Sequence, residues 1–396
     1  MKLRWTTVEI PQIFVCLLAL CCVGGCSKPG PGASAQQQAS AVESEETSPD
    51  EAVPPPQEIA AKPLPDPVRD SSPEEEQKSP DGFLSKIKGF KKVFDWCLPL
   101  EEPAWKPGSD ASFMRPDDPV VGFMTEKGAY ALPWWILKNH HVANLDVDGE
   151  EILVTLCEAC TSAAAFDPRV DGVRLHFRIV GMYNGTHILG DRETDTYWLS
   201  FLGTAQYGPQ EGKQLKRRRV DQSTWSEWLE MHPETFVAYR DVNAREGHGS
   251  EDFPGRTYIG KFMFESRQRE DDRLPMHSLI LGVTVQGEDR AYPMKTLTES
   301  GPIVEDRLGD QPIVVFHKPG SYLAAAFFPE IDGQLLNFSC NEQQEIVDTQ
   351  TKSVWNYAGV AQTGPLAGKQ LKPTIYIMEE WYIWVAYHQQ FTLYTR

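Results

Sequence analysis

The sequence has little basic charge. It carries 38 lysines and arginines against 56 aspartates and glutamates, a formal net charge of −18. A nucleic-acid binder shows a basic footprint, so that class of partner is excluded. Cysteine is scarce, with eight in 396 residues, too few for a fold stapled mainly by disulfides. Familiar catalytic signatures are missing: no GxSxG, P-loop, HExxH or Rossmann glycine pattern appears. Carboxylates are plentiful, but no spacing singles out an acid/base pair. Lys216-Arg217-Arg218-Arg219 is a short basic run in an acidic protein, read as a solvated loop. Long apolar runs are lacking too. The run from Ile13 to Val23 has 11 apolar residues, short of the ~20 that a spanning helix requires.

What is present begins with an address. Lys2 and Arg4 precede that apolar run, as in a signal peptide. It ends in Val23-Gly24-Gly25-Cys26, which resembles a bacterial lipobox. Residues 1–26 are therefore expected to be a lipoprotein signal, with Cys26 as the lipid-bearing new N-terminus. Ser27 follows in place of an inner-membrane-retaining Asp. The expected location is the cell envelope, lipid-anchored on the extracytoplasmic side, at the outer membrane. Cys16, Cys21 and Cys22 would leave with the signal. Cys97, Cys157, Cys160 and Cys340 would remain, in an oxidising compartment.

Residues 27–80 contain no aromatic residue and hold 4 basic and 11 acidic ones. Such a stretch cannot bury enough apolar surface to offset its ordering entropy, and it reads as a disordered tether. Residues 81–119 read as a helix and lead-in. Phe83, Leu84, Ile87, Phe90, Val93 and Phe94 fall near one helical face. The expectation is a helix packed on the body, ahead of a membrane-surface helix; Gly89 weakens either.

The body contains an internal repeat. Gly208-Pro209…Gly212-Lys213-Gln214-Leu215-Lys216 recurs as Gly364-Pro365…Gly368-Lys369-Gln370-Leu371-Lys372, a shift of 156 residues. At that shift Trp225 meets Trp381, Trp228 meets Trp384 and His232 meets His388; Asp191 and Trp198 meet Asp348 and Trp355 at 157. The reading is two related units, 120–240 and 280–396, joined by a linker at 241–279.

Each unit reads mainly as strand. Ile152 to Leu156 and Ile313 to Phe316 suit buried strands. Val173 to Ile179 alternates, as a half-buried strand does. Asp148-Gly149, Asp171-Gly172 and Asp332-Gly333 suggest tight turns. Thr224 with Glu227 resembles a capping box ahead of Trp225, Trp228 and Leu229. The expected fold class is mainly β: two related β-rich lobes, sandwich or barrel, each with a helix near its C-terminal end.

Residues kept in both units serve what both share. Asp191, Trp198, Trp225, Asp348, Trp355 and Trp381 are therefore assigned to scaffold: buried aromatics, with an aspartate bonding a turn. The asymmetric feature is Cys157-Glu158-Ala159-Cys160, where the second unit has no cysteine pair. A CxxC after a strand can close a disulfide, exchange disulfides, or place two soft ligands on one metal. His140 and His141 are the candidate co-ligands, and a Cys2His set would suit a zinc or copper ion. His187 is a weaker candidate, because Asn184-Gly185-Thr186 reads as a turn.

The residues that flank the pair resemble a known family. Ala129-Tyr130, His140-His141, Leu153 to Ala163, Phe166-Asp167, Val170-Asp171-Gly172, Asp191 to Trp198 and Gly208-Pro209…Gly212 together resemble the bacterial "domain of unknown function 3179" family, over about residues 95–394. The resemblance implies an extracytoplasmic protein of unestablished activity. In that family a histidine-containing segment precedes the strand and a CPxC-like pair follows it. This chain has Glu158-Ala159 between its cysteines, and no acid directly after His141 to orient a ligating imidazole.

Two functions follow. One is metal handling or thiol redox through Cys157 and Cys160. The other is a non-catalytic envelope binding or structural module, in which the cleft between the lobes holds a small ligand or an envelope protein and the cysteines staple a turn. Expected partners are the membrane, through the N-terminal lipid, and that ligand or protein.

Overall fold

The computed structural model describes residues 91–92, 98–239 and 271–396, within one compact unit, Arg69–Arg396. The expected signal peptide with Cys26, the tether, most of the expected helix at 81–96 and residues 240–270 lie outside the described residues. The chain is mainly β, with several sheets and few helices. Residues 98–239 are called the first lobe below and 271–396 the second.

The first lobe has three main sheets. One runs Val220–Thr224, Pro119–Thr125, Gly128–Pro133, Phe236–Tyr239, Ala104–Pro107. The next runs Lys216–Arg218, Ser162–Asp167, Glu150–Cys157, Val142–Val147, Leu100–Glu101. The third runs Phe177–Tyr183, Thr186–Asp191, Tyr197–Leu199, Ala205–Tyr207. The second lobe has three four-stranded sheets with a similar strand order and, among the described residues, without edge strands like Ala104–Pro107 and Leu100–Glu101. Its sheets run Ile375–Glu380, Leu279–Val285, Glu288–Pro293, Thr392–Leu393; then Ile303–Leu308, Gln311–His317, Ala324–Phe328, Lys372–Pro373; then Phe338–Cys340, Ile346–Asp348, Val354–Trp355, Ala361–Thr363. In both lobes the chain passes between the first two sheets with one residue between strands, Arg219 in one and Thr374 in the other.

The local chemistry explains the elements. Asp148-Gly149, Asp171-Gly172 and Asp332-Gly333 each place both residues at positive φ, the backbone a tight hairpin turn requires. Each lobe has a short helix ahead of its last strand, Trp225–Met231 and Trp381–Tyr387. The first opens on a full capping box between Thr224 and Glu227. Helix and sheet interlock through glycine. A Cβ on Gly122 would lie 2.3 Å from the Trp228 ring, and one on Gly282 would lie 2.1 Å from Trp384. Only a residue without a side chain lets those fully buried indoles lie flat on the strand.

Three local expectations change. Val173 to Ile179 is not one strand. Val173–Arg174 pairs with Arg169–Val170, and a new strand starts at Phe177. Its alternation persists because Leu175 and Phe177 both enter the core from either side of the break. Lys91–Lys92 is extended and pairs with Gly181 and Met182, where a helix was expected. Two helices also went unread, Trp134–Leu137 and Met294–Ser300, each directly after a proline. All four residues of the former are buried, so no amphipathic period marks it.

Candidate functional site

Cys157 ends the Glu150–Cys157 strand, and Cys160 ends a single 3-10 turn, Glu158–Cys160. The two are joined as a disulfide with Cα atoms 5.5 Å apart. Both are buried, Cys157 at 2% exposure and Cys160 at 0%. The Cys160 Sγ lies 3.2 Å from the Ser162 hydroxyl. The staple holds the turn closed, and the next residue, Thr161, is left-handed at φ 53°.

The candidate histidines go elsewhere. The His140 Nδ1 lies 2.7 Å from the Leu98 carbonyl. His141 is buried, with its Nδ1 3.2 Å from the Leu156 carbonyl, and its ring meets His187 edge-on at 4.7 Å. Burial pushes the His141 pKa down to about 4, against the opposing Leu156 carbonyl, with a smaller push from His140. Burial also holds His187 well below its ordinary value, helped by His141. Both imidazoles are therefore neutral. Among the described residues, no group of three or more His, Cys, Asp and Glu side chains is placed to hold a metal ion.

Asp191 and Asp348 occupy equivalent turns. Asp191 accepts from the Thr194 and Thr196 amides, the Thr194 hydroxyl and the Trp198 indole, the last at 2.8 Å. Asp348 accepts from the Thr351 and Ser353 amides, the Thr351 hydroxyl and the Trp355 indole, the last at 3.0 Å. Those bonds hold Asp348 below the usual carboxylate range, although burial opposes them. Trp225 and Trp381 start the two helices, their amides donating to the Asp118 and Ser278 carbonyls.

The strand register sharpens the comparison at the cysteines. Leu156 pairs with Ala163 and donates its amide to the His141 carbonyl. His317 pairs with Ala324 and donates to the Pro302 carbonyl. His317 is thus the counterpart of Leu156, and Lys318 that of Cys157. The second lobe has no disulfide there, and it sends its own residues to the CxxC turn.

Those residues come from the Ile375–Glu380 strand and the helix after it. The Thr161 hydroxyl donates to Glu380 Oε1 at 3.2 Å. His277 Nδ1 lies 2.7 Å from Glu380 Oε2. The Tyr382 hydroxyl donates to the Ala159 carbonyl at 3.0 Å. The Gln222 amide spans the Thr161 and Met378 carbonyls. Glu380 occupies the position that Thr224 holds in the first lobe. Thr224 caps its helix, whereas the Glu380 side chain makes no cap bond. It is 1% exposed, and burial pushes its pKa up to about 8, with the Thr161 bond opposing. Its neighbour Glu379 is wholly buried, with no hydrogen-bond partner on either oxygen among the described residues. Burial raises it to about 8, with Arg217 opposing.

Glu380, His277 and Thr161 line a cleft of about 460 Å³, within the size range of small-molecule sites. Its other walls include Leu274, Pro275, Leu279, Pro293, Met294 and Tyr322. No sequence motif marks it. Glu379 and Glu380 are adjacent carboxylates in an acidic chain, and His277 lies in the segment read as linker. The signal available was the repeat: at a shift of 156, Ser223-Thr224 is replaced by Glu379-Glu380.

The family described as "Protein of unknown function (DUF3179)" matches residues 98–391. No curated protein and no solved structure matches the chain.

Proposed function

The chain belongs to the DUF3179 family of proteins of unknown function, and from that premise we propose that it is a lipid-anchored envelope protein that binds a small ligand in the cleft beside the CxxC turn. In this reading the body consists of two related lobes. The first stiffens the cleft rim through its disulfide, and the second supplies most of the walls. The supporting observation is the Thr161–Glu380 hydrogen bond, which ties the stapled turn to a buried carboxyl that faces the cleft. A buried acid is retained at a cost unless something uses it.

The metal-handling or thiol-redox reading has weaker support. Thiol exchange needs an accessible sulfur, and both sulfurs are buried and bonded to each other. A metal would need them reduced, together with ligands that His140 and His141 do not supply in this arrangement.

The test is a ligand-observed NMR screen of small molecules against the full chain in nanodiscs. Hits should be lost in Thr296→Trp, which fills the cleft, and kept in the Cys157→Ser/Cys160→Ser double variant. Hits that survive Thr296→Trp and vanish in a folded double-cysteine variant would sink the binding-cleft reading.

A further inference from the structure

Two buried imidazoles of the first lobe serve neither the disulfide nor the cleft. The His141 Nδ1 lies 3.2 Å from the Leu156 carbonyl. A carbonyl only accepts, so Nδ1 carries the proton and Nε2 presents its lone pair. A metal-ligating histidine is held in the same way, its other nitrogen donating to a carbonyl or carboxylate. The His141 and His187 rings lie 4.7 Å apart between centroids. Two imidazoles on one ion have centroids roughly 4.5–6.5 Å apart, given metal–nitrogen bonds of about 2.0–2.1 Å, so this spacing suits a shared ion. His187 is 9% exposed and has no hydrogen-bond partner on either nitrogen among the described residues, a costly state for a polar ring. The strand register supplies a third group. Asn184 and Gly185, both at positive φ, form the two-residue turn that sets Met182 directly opposite His187. Side chains paired across an antiparallel ladder share a face. Met182 therefore stands beside His187, and it is buried as well.

We propose that His141, His187 and Met182 form a copper(I) site. Two imidazole nitrogens and a thioether are a soft, uncharged donor set, which favours Cu(I) over harder divalent ions. No acidic or cysteine side chain completes a group of three with the two histidines among the described residues, as a zinc site would need. Burial holds both rings neutral, the form that ligates, so the ion has no proton to displace. The site is independent of the Cys157–Cys160 pair. Thr186, the residue before His187, faces the disulfide, its hydroxyl 3.9 Å from the Cys160 Sγ. Successive strand residues point to opposite faces, so His187 points away from the cysteines.

The test is an NMR titration of the full chain in nanodiscs, isotope-labelled at methionine methyls and histidine ring nitrogens, with its free thiols alkylated by iodoacetamide. Cu(I), kept reduced by ascorbate under nitrogen, is delivered against the chelator bicinchoninate. One ion per chain should shift the methyl resonance that Met182→Leu removes, together with the ring resonances that His141→Phe and His187→Phe remove. Met182→Leu nearly conserves core volume. It should weaken Cu(I) binding at least about tenfold, since loss of an outer-shell partner alone costs about 10–100-fold. Cys157→Ser/Cys160→Ser should leave the affinity unchanged. Wild-type Met182 and His187 resonances that stay unmoved by Cu(I) overturn the site, whether or not any variant folds. Wild-type affinity in a folded Met182→Leu chain overturns the three-ligand set. Zn(II) shifting the same three side chains as tightly overturns the copper assignment.

Discussion

Thr161 and Glu380 are 219 residues apart in the chain and joined by one buried hydrogen bond, Oγ1 to Oε1 at 3.2 Å. One end follows a disulfide-stapled turn and the other precedes the last helix. Removing the donor leaves a buried acceptor with less compensation. Thr161→Val should therefore lower stability by about 1–2 kcal/mol in urea unfolding and raise the Glu380 pKa further, measurable by carboxyl-selective NMR titration. An unchanged Glu380 titration would show that the bond does not form in solution.

The two buried acids should make stability pH-dependent. Glu379 and Glu380 are each raised to about 8 in the folded chain, against about 4.3 when unfolded. Their contribution is fully present below pH ~4.3, falls as the unfolded chain ionises first, and is lost once pH passes 8. Stability should decline from pH 5 to pH 8. Glu379→Gln should flatten that decline, by on the order of 1–3 kcal/mol at pH 8 and by little at pH 4.5. Identical urea midpoints for variant and wild type across this range would contradict the burial of Glu379.

The disulfide closes a very short loop, so its entropic contribution is modest. Cys157→Ser/Cys160→Ser should lose about 2 kcal/mol and remain folded. Circular dichroism and urea unfolding under non-reducing conditions would check this. Complete loss of cooperative folding would give the pair a larger structural role than a staple.

Asp191 and Asp348 each anchor a turn and an indole from the middle of their lobes. Asp191→Ala and Asp348→Ala should each cost on the order of 3 kcal/mol or more, with no selective effect on cleft ligands at temperatures where the variants stay folded. A variant that kept wild-type thermal stability would refute the scaffold role for its lobe.

Gly122→Ala and Gly282→Ala should each cost at least ~1–3 kcal/mol, because the new methyl overlaps a fully buried indole. Thermal unfolding is sufficient to check it. The double change with Trp228→Phe or Trp384→Phe should recover part of the loss.

The residues by themselves determined much of the frame. Branched and aromatic runs between Asp-Gly turns specify strands, because alternation and turn backbone are local properties. Thr224 and Glu227 specify a helix start, since the capping bonds span three residues. The alternation at Val173 to Ile179 marks core-facing residues but not the break between two strands, because pattern records which face is buried and not which partner is paired. The fully buried Trp134–Leu137 turn carried no period to detect.

The candidate site was far less legible. Cys157 and Cys160 were visible from spacing, but spacing left disulfide, exchange and ligation equally open. Only the packed structure joined them, buried them, and sent His140 to the Leu98 carbonyl and His141 to His187. Glu380, His277 and Thr161 come from three distant segments, and nothing local marks any of them. Their pairing exists because the second lobe's Ile375–Glu380 strand packs on the CxxC turn of the first. Burial there turns an ordinary glutamate into one that titrates near pH 8, a change that depends on what surrounds the carboxyl and not on its neighbours in the chain.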